Sequence, residues 1–131
     1  MELSFPISLR LGKKKLRKYY LNLNFYRNAH YQVLNQLKVK FSEEIKDQLT
    51  NLPQYSEISL TYTLYPQRLC DVMNVCTVVD KFFSDALVNY HVIDDDNINV
   101  IKNVSCKFGC IDKENPRVTV EIKGIEKCKS I

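Results

Sequence analysis

Asp71 to Leu87 reads DVMNVCTVVDKFFSDAL, and its reading decides the fold. Advanced by 100° per residue, Val72, Val75, Cys76, Val79, Phe82, Phe83, Ala86 and Leu87 fall on one half of a helix. Asn74, Thr77, Lys81, Ser84 and Asp85 fall on the other half, with Asp71 and Asp80 at the margins. Such a rod packs its apolar half on a sheet. What its polar half serves is the question that the rest of the chain answers.

Before it, EISLTYTLY puts Ile58, Leu60, Tyr62 and Leu64 on one face of a strand that Pro66 ends. After it come the loop His91 to Asp96 and two strands, Ile98 to Phe108 and Arg117 to Lys123, joined through GCIDKENP as a hairpin-type linker. Upstream, ISLRL (Ile7 to Leu11) alternates as a half-buried strand, Gly12 ends it, and YLNLN is a second short extended piece. Asn24 then caps a helix running to about Leu49, with Ala29, Val33, Leu37, Phe41, Ile45 and Leu49 as its buried stripe. The expected fold is α/β: a mixed β-sheet of four to five strands with two main helices packed on it.

With 131 residues, 45% of them hydrophobic, the chain suits a single domain spanning 1–131. No apolar run is long enough for a membrane span, and the N-terminus carries an acid before its hydrophobics and its cations after them, the reverse of a secretory signal. The expectation is a soluble, cytoplasmic protein. Five cysteines, an odd number with no C-x-x-C pair, argue against a disulfide framework and a zinc ribbon. Reduced, partly buried thiols are the plain reading, and a zinc site of Cys106, Cys110 and His91 is the alternative.

The net charge of +4 is unevenly spread. Between Arg10 and Lys40 there is no acid, and a basic N-terminal arm over about 10–27 holds Lys13, Lys14, Lys15, Arg17, Lys18 and Arg27 among Tyr19, Tyr20, Phe25 and Tyr26. Cations of one sign interleaved with aromatics suit a polyanion, because each phosphate contact releases condensed counterions; a solvated basic face with no partner is the alternative. Each acid also has an ordinary structural reading. Asp71 fits an N-cap, Asp85 an i,i+4 pair with Lys81, and Asp80 with Ser84 a solvated surface, while IDDDN fits a solvated turn. Together, an acid where a strand meets a helix and a triple acid before the next strand could be brought close by a sheet. Clustered carboxylates repel unless a cation neutralises them, and hard oxygen ligands suit Mg²⁺ or Mn²⁺.

In order, Arg68-x-x-Asp71-x-x-Asn74, Asp80-Lys81, Asp85-Ala86-Leu87 and Asp95-Asp96 resemble the RusA family of Holliday junction resolvases, small dimeric endonucleases of phages and prophages. The likeness covers about Ile58 to Ile122, with the N-terminal third agreeing in outline. The resemblance implies catalytic roles for Asp71, Asn74, Asp80, Lys81, Asp95 and Asp96. It implies Mg²⁺, with Mn²⁺ as substitute, on Asp71, Asp80, Asp95 and Asp96, and DNA contacts from the basic arm and Arg68. The implied function is paired, metal-dependent hydrolysis of four-way junctions by a homodimer in a bacterial host's cytoplasm, without a small-molecule cofactor. A flap or branched-DNA nuclease of the same fold and a non-enzymatic basic nucleic-acid-binding module are the alternatives. The family's middle acid is absent, Val72 and Met73 standing in its place, and about one helical turn is added before Asp85. On a continuous helix Asp71 and Lys81 would sit about 15 Å apart. Either the first turn is irregular, or Asp80 replaces the missing ligand and Lys81 meets another phosphate.

Overall fold

The computed structural model describes residues 2–12 and 17–127. Strand β1 (Glu2–Pro6) leads through Ile7 into β2 (Ser8–Leu11), which pairs antiparallel with β3 (Arg17–Tyr20) in a separate two-stranded sheet. Helices α1 (Leu23–Asn28) and α2 (Tyr31–Thr50) follow, then β4 (Tyr55–Tyr65), α3 (Val72–Asn89), β5 (Ile101–Phe108) and β6 (Arg117–Glu126). The main sheet is mixed, with order β1-β6-β4-β5. β4 runs parallel to β5 and antiparallel to β6.

Register carries the core. Leu3, Val120, Tyr62 and Cys106 form one row across the sheet, and Phe5, Val118, Leu64 and Phe108 the next. Side chains two apart share a face, so these rows present one apolar side, while Ser59, Thr61 and Thr63 of β4 lie on the other. α2 and α3 cover the apolar side. Phe5 meets Phe41 edge-on at 5.1 Å and stacks on Phe83 at 5.5 Å, and Phe41 meets Phe82 at 5.8 Å. The α/β expectation holds, as one four-stranded sheet and three helices. No described helix is long and apolar enough to cross a membrane.

Several expectations change. YLNLN is not an extended piece, since β3 ends at Tyr20 and α1 starts at Leu23, and the strand expected from Ile98 starts at Ile101. The first helix is two: Asn22, not Asn24, caps α1 by accepting from the Phe25 N–H, and Ala29 is extended. His30 then caps α2, its Nδ1 accepting from the Gln32 N–H at 3.1 Å. Asparagine and histidine side chains compete with helical backbone bonds and so favour ends over middles. Residues 109–116 are no hairpin, because β4 lies between β5 and β6. The loop instead passes over the end of β4, the Gly109 N–H donating to Leu64 O and the Asp112 N–H to Pro66 O. Polar β5, with Lys102, Asn103, Ser105 and Lys107, suits an edge, and apolar β6 needs a neighbour on each side. Finally, β1 continues the alternation of Leu3, Phe5, Ile7 and Leu9, all buried, which extends the expected strand back to Glu2.

The two edges of the sheet differ. Gln48 of α2 closes β1, its Oε1 accepting from the Ser4 N–H and its Nε2 donating to Ser4 O. Inside, β4 and β6 shift register between Tyr55 and Glu57. There Gly124 lies so near that an added Cβ would strike the Glu57 carbonyl oxygen and come within 2.8 Å of the Tyr55 ring. Backbone cannot swing aside. Gly124→Ala is therefore expected to lower stability by about 1–3 kcal/mol, measured by denaturant unfolding, with a wild-type midpoint contradicting this packing.

Candidate nucleic-acid interface

α3 is one uninterrupted helix of 18 residues, about 27 Å long. It connects the end of β4 to the start of the neighbouring parallel strand β5, so its two ends lie at opposite ends of these strands. Asp71 caps the first end, Oδ1 accepting from the Met73 N–H at 3.1 Å. Asp94, Asp95 and Asp96 follow the other. The backbone there is tied to the beginning of β4, Tyr55 N–H donating to Val92 O and Lys127 N–H to Gln54 O. Strand β4, with its 11 residues, puts roughly 33 Å between these regions.

The acids expected to share one ion therefore separate into different surroundings. The Lys127 Nζ bonds the Asp94 carboxylate at 2.5 Å. Asp95 folds onto its own turn, accepting from the Asp96 N–H at 2.7 Å and the Asn97 Nδ2 at 3.0 Å. Asp95 and Asp96 line a cleft of about 530 Å³ with Lys38, Glu43 and Asp85, and Lys38 Nζ pairs with Asp85 at 3.3 Å. That pairing replaces the expected Lys81–Asp85 one. Among the described residues, no three His, Cys, Asp or Glu side chains converge as a metal site. The expected set of Asp71, Asp80, Asp95 and Asp96 is thus not assembled within one chain, and neither is Cys106, Cys110 and His91.

Asp80 is a core fastener. It accepts from the Tyr62 hydroxyl at 2.6 Å and the Ser84 hydroxyl at 3.3 Å, both to Oδ1. Ser84 is buried, so the polar half read for this helix is narrower than its sequence implied. Burial, then the neighbouring Asp80 charge, pushes the Tyr62 phenol well above its usual range. Lys81 is exposed and lies 5.8 Å from the Tyr26 ring, nearly three turns beyond Asp71. The continuous helix rules out the irregular first turn, so the two cannot share one phosphate.

The Asp71 end of α3 opens on a larger cleft, about 1120 Å³, lined among others by Tyr20, Arg68, Leu69, Asn74 and Lys113. Asn74 fastens this region, its Oδ1 accepting from the Leu23 N–H at 3.2 Å to hold α1 against α3. Another part of the lining, Lys113, comes from the 109–116 loop. Asp112 shapes it, Oδ1 accepting from the Glu114 and Asn115 N–H groups and Oδ2 from Arg117 Nη1 at 2.8 Å. The Asn115 backbone bond and the Arg117 guanidinium hold its carboxyl below the usual carboxylate range. Lys113 stands on that loop, and nothing in the sequence marked it except its place in a turn. Burial and the adjacent Asp71 carboxylate push the Cys70 thiol up, which keeps this cleft cysteine protonated and a weak nucleophile. Of the basic arm, Lys18 of β3 lies against the Tyr20 ring that lines the cleft, Arg17 of the same strand lies against Tyr19, and Arg27 stands in the last turn of α1; Lys13, Lys14 and Lys15 lie outside the described residues.

Asp80 and Asp71 should separate by stability. Asp80→Leu strands the buried Tyr62 hydroxyl and is expected to cost about 1–3 kcal/mol or more, against about 1 kcal/mol for the lost cap in Asp71→Ala. Equal costs in chemical denaturation would contradict these roles. Because the Tyr62 pKa is raised in the fold, its contribution is whole below the ordinary tyrosine value of about 10 and is lost as pH rises from there through the folded value. Tyr62→Phe should flatten that part of the alkaline stability curve.

No protein-family model matches this chain, and a search of curated proteins finds no relative, so its likeness to the RusA family rests on the quoted residues alone.

Proposed function

We propose that this protein is a RusA-like, structure-specific endonuclease that acts on branched DNA as a homodimer in the cytoplasm, four-way junctions being the substrate its motif order favours. The observation that carries the reading is the cleft at the start of α3, lined by Arg68, Asn74 and Lys113 and by Cys70, the residue that precedes the cap Asp71. Arg68 and Lys113 there grip consecutive backbone phosphates, the guanidinium in forked geometry. The first turn of α3 adds the positive end of a helix dipole, which favours an anion at this position.

Mg²⁺ fits Asp71 in a limited way. One carboxylate oxygen is committed to the cap and the other is available, and Mg²⁺ commonly takes one or two carboxylates with substrate phosphates and water. When bound, the ion polarises the phosphate and lowers the pKa of a bound water. Within one chain Asp80, Asp95 and Asp96 stand elsewhere, and Lys81 meets DNA further along the helix. A two-fold dimer supplies the paired incisions that a four-way junction requires.

The second reading, a branched-DNA-binding protein without hydrolysis, draws on the same separation of acids. One experiment divides the two: incubation with a synthetic four-way junction in Mg²⁺ or in EDTA. Paired nicks that need the metal and fall at least about a hundredfold in Asp71→Asn, the scale for losing a group that stabilises a transition state, support the nuclease. Tight binding with no nicks under any divalent ion leaves the binding protein. Loss in Asp96→Asn as well would require a second chain to bring that carboxylate over, and mixing the two variants would then restore cutting. Arg68→Ala should weaken junction binding and shrink its salt slope by about one.

A further inference from the structure

We infer that the cleft at the start of α3 receives a single unpaired nucleotide of a DNA strand, its base against Tyr20 and Leu69 and its phosphate between Arg68 and Lys113. This deepens the proposed function and rests on it. A backbone contact alone needs only a shallow basic surface, yet this cavity of about 1120 Å³ is walled partly by apolar groups. Its size is somewhat above the range of roughly 300–1,000 Å³ for pockets that enclose small organic ligands, as suits a nucleotide with its flanking backbone. Leu69 is 81% exposed and Tyr20 44% exposed, so two large apolar side chains stand in water at the rim of a cationic cleft.

The chemistry on the two sides matches the two halves of a nucleotide. The Tyr20 ring offers a π-face, and Lys18 Nζ already lies 5.1 Å from its centroid, so a cation and an aromatic face stand together as in single-strand binding sites. Pro66 and Leu69 supply apolar contact. Asn74 has a fixed amide, since its Oδ1 accepts from Leu23 N–H; its Nδ2 is therefore a donor for a carbonyl on the base edge. A base inside a duplex hides both faces in the stack. The occupant is accordingly a nucleotide out of the stack, which a branch point provides and an uninterrupted duplex does not.

The test measures fluorescence anisotropy of a labelled short oligothymidine and of a duplex of equal length, without divalent metal. The chain should prefer the single strand. Tyr20→Ala and Leu69→Ala should each weaken oligothymidine binding about tenfold, the scale of one lost base stack, while duplex binding changes less than twofold and Tyr20→Phe stays near wild type. Equal weakening on both DNAs, or none on either, overturns the inference. Full displacement of the oligonucleotide by thymidine monophosphate, without help from neighbouring nucleotides, also overturns it and assigns the cleft to a free nucleotide. A protein with this single-strand behaviour that cuts no junction loses only the nuclease reading, and one that cuts junctions with no single-strand preference loses only the nucleotide site.

Discussion

The unbroken course of α3 between two parallel strands constrains everything else. A parallel pair must be joined by a crossover that runs back along the strands to the end where the first one began, so the residue that starts the helix and those that follow it are held about a strand length apart. The helix keeps its line because its apolar side is locked down. Val75, Cys76, Val78, Val79, Phe82, Phe83, Ala86 and Leu87 are all buried, and Tyr62 and Asp80 join strand to helix at its middle. Bending this rod to bring Asp71 toward Asp96 would open that contact.

Function follows from which end is furnished. The end nearer β5's start is acidic, and three of its carboxylates are engaged: Asp94 is paired with Lys127, Asp95 is bonded to its own turn, and Asp85 is paired with Lys38. The other end brings the helix N-terminus, the 109–116 loop and the β2–β3 ribbon around one cleft. Cations from three separate stretches, Lys18, Arg68 and Lys113, meet there or border it. Positive charge is what they share, and the polyanion partner proposed above draws on it.

Much of the fold was legible because period and punctuation agreed. The alternation of Ile58, Leu60, Tyr62 and Leu64, the 3.6-residue stripe after Asp71 and the stop at Pro66 each marked an element that exists. What stayed hidden is non-local. Strand order depends on which strand tolerates an edge, and the turn-rich 109–116 segment looks the same in sequence whether it closes a hairpin or spans a neighbour. The break at Ala29 was missed because Ala29 and Val33 extend the apolar stripe, while Asn28 and His30 decide locally against helix. For the site, spacing showed that acids flank the helix but not that its length would divide them. The sequence leaves Asp80 as a surface or metal-bound group because Tyr62, 18 positions earlier, announces no partner. Lys113 joins the cleft only through the Asp112 turn, a contact no periodicity reports.

The most direct measurement of the central claim is Mn²⁺-induced broadening of backbone amide signals in the protein bound to a junction. Broadening centred on Arg68 to Asn74 is the predicted result, since the proposed site puts the ion on Asp71 and the bound backbone. Signals of that segment left sharp, with broadening confined to Glu43, Asp85 and Asp95 to Asn97, would contradict it.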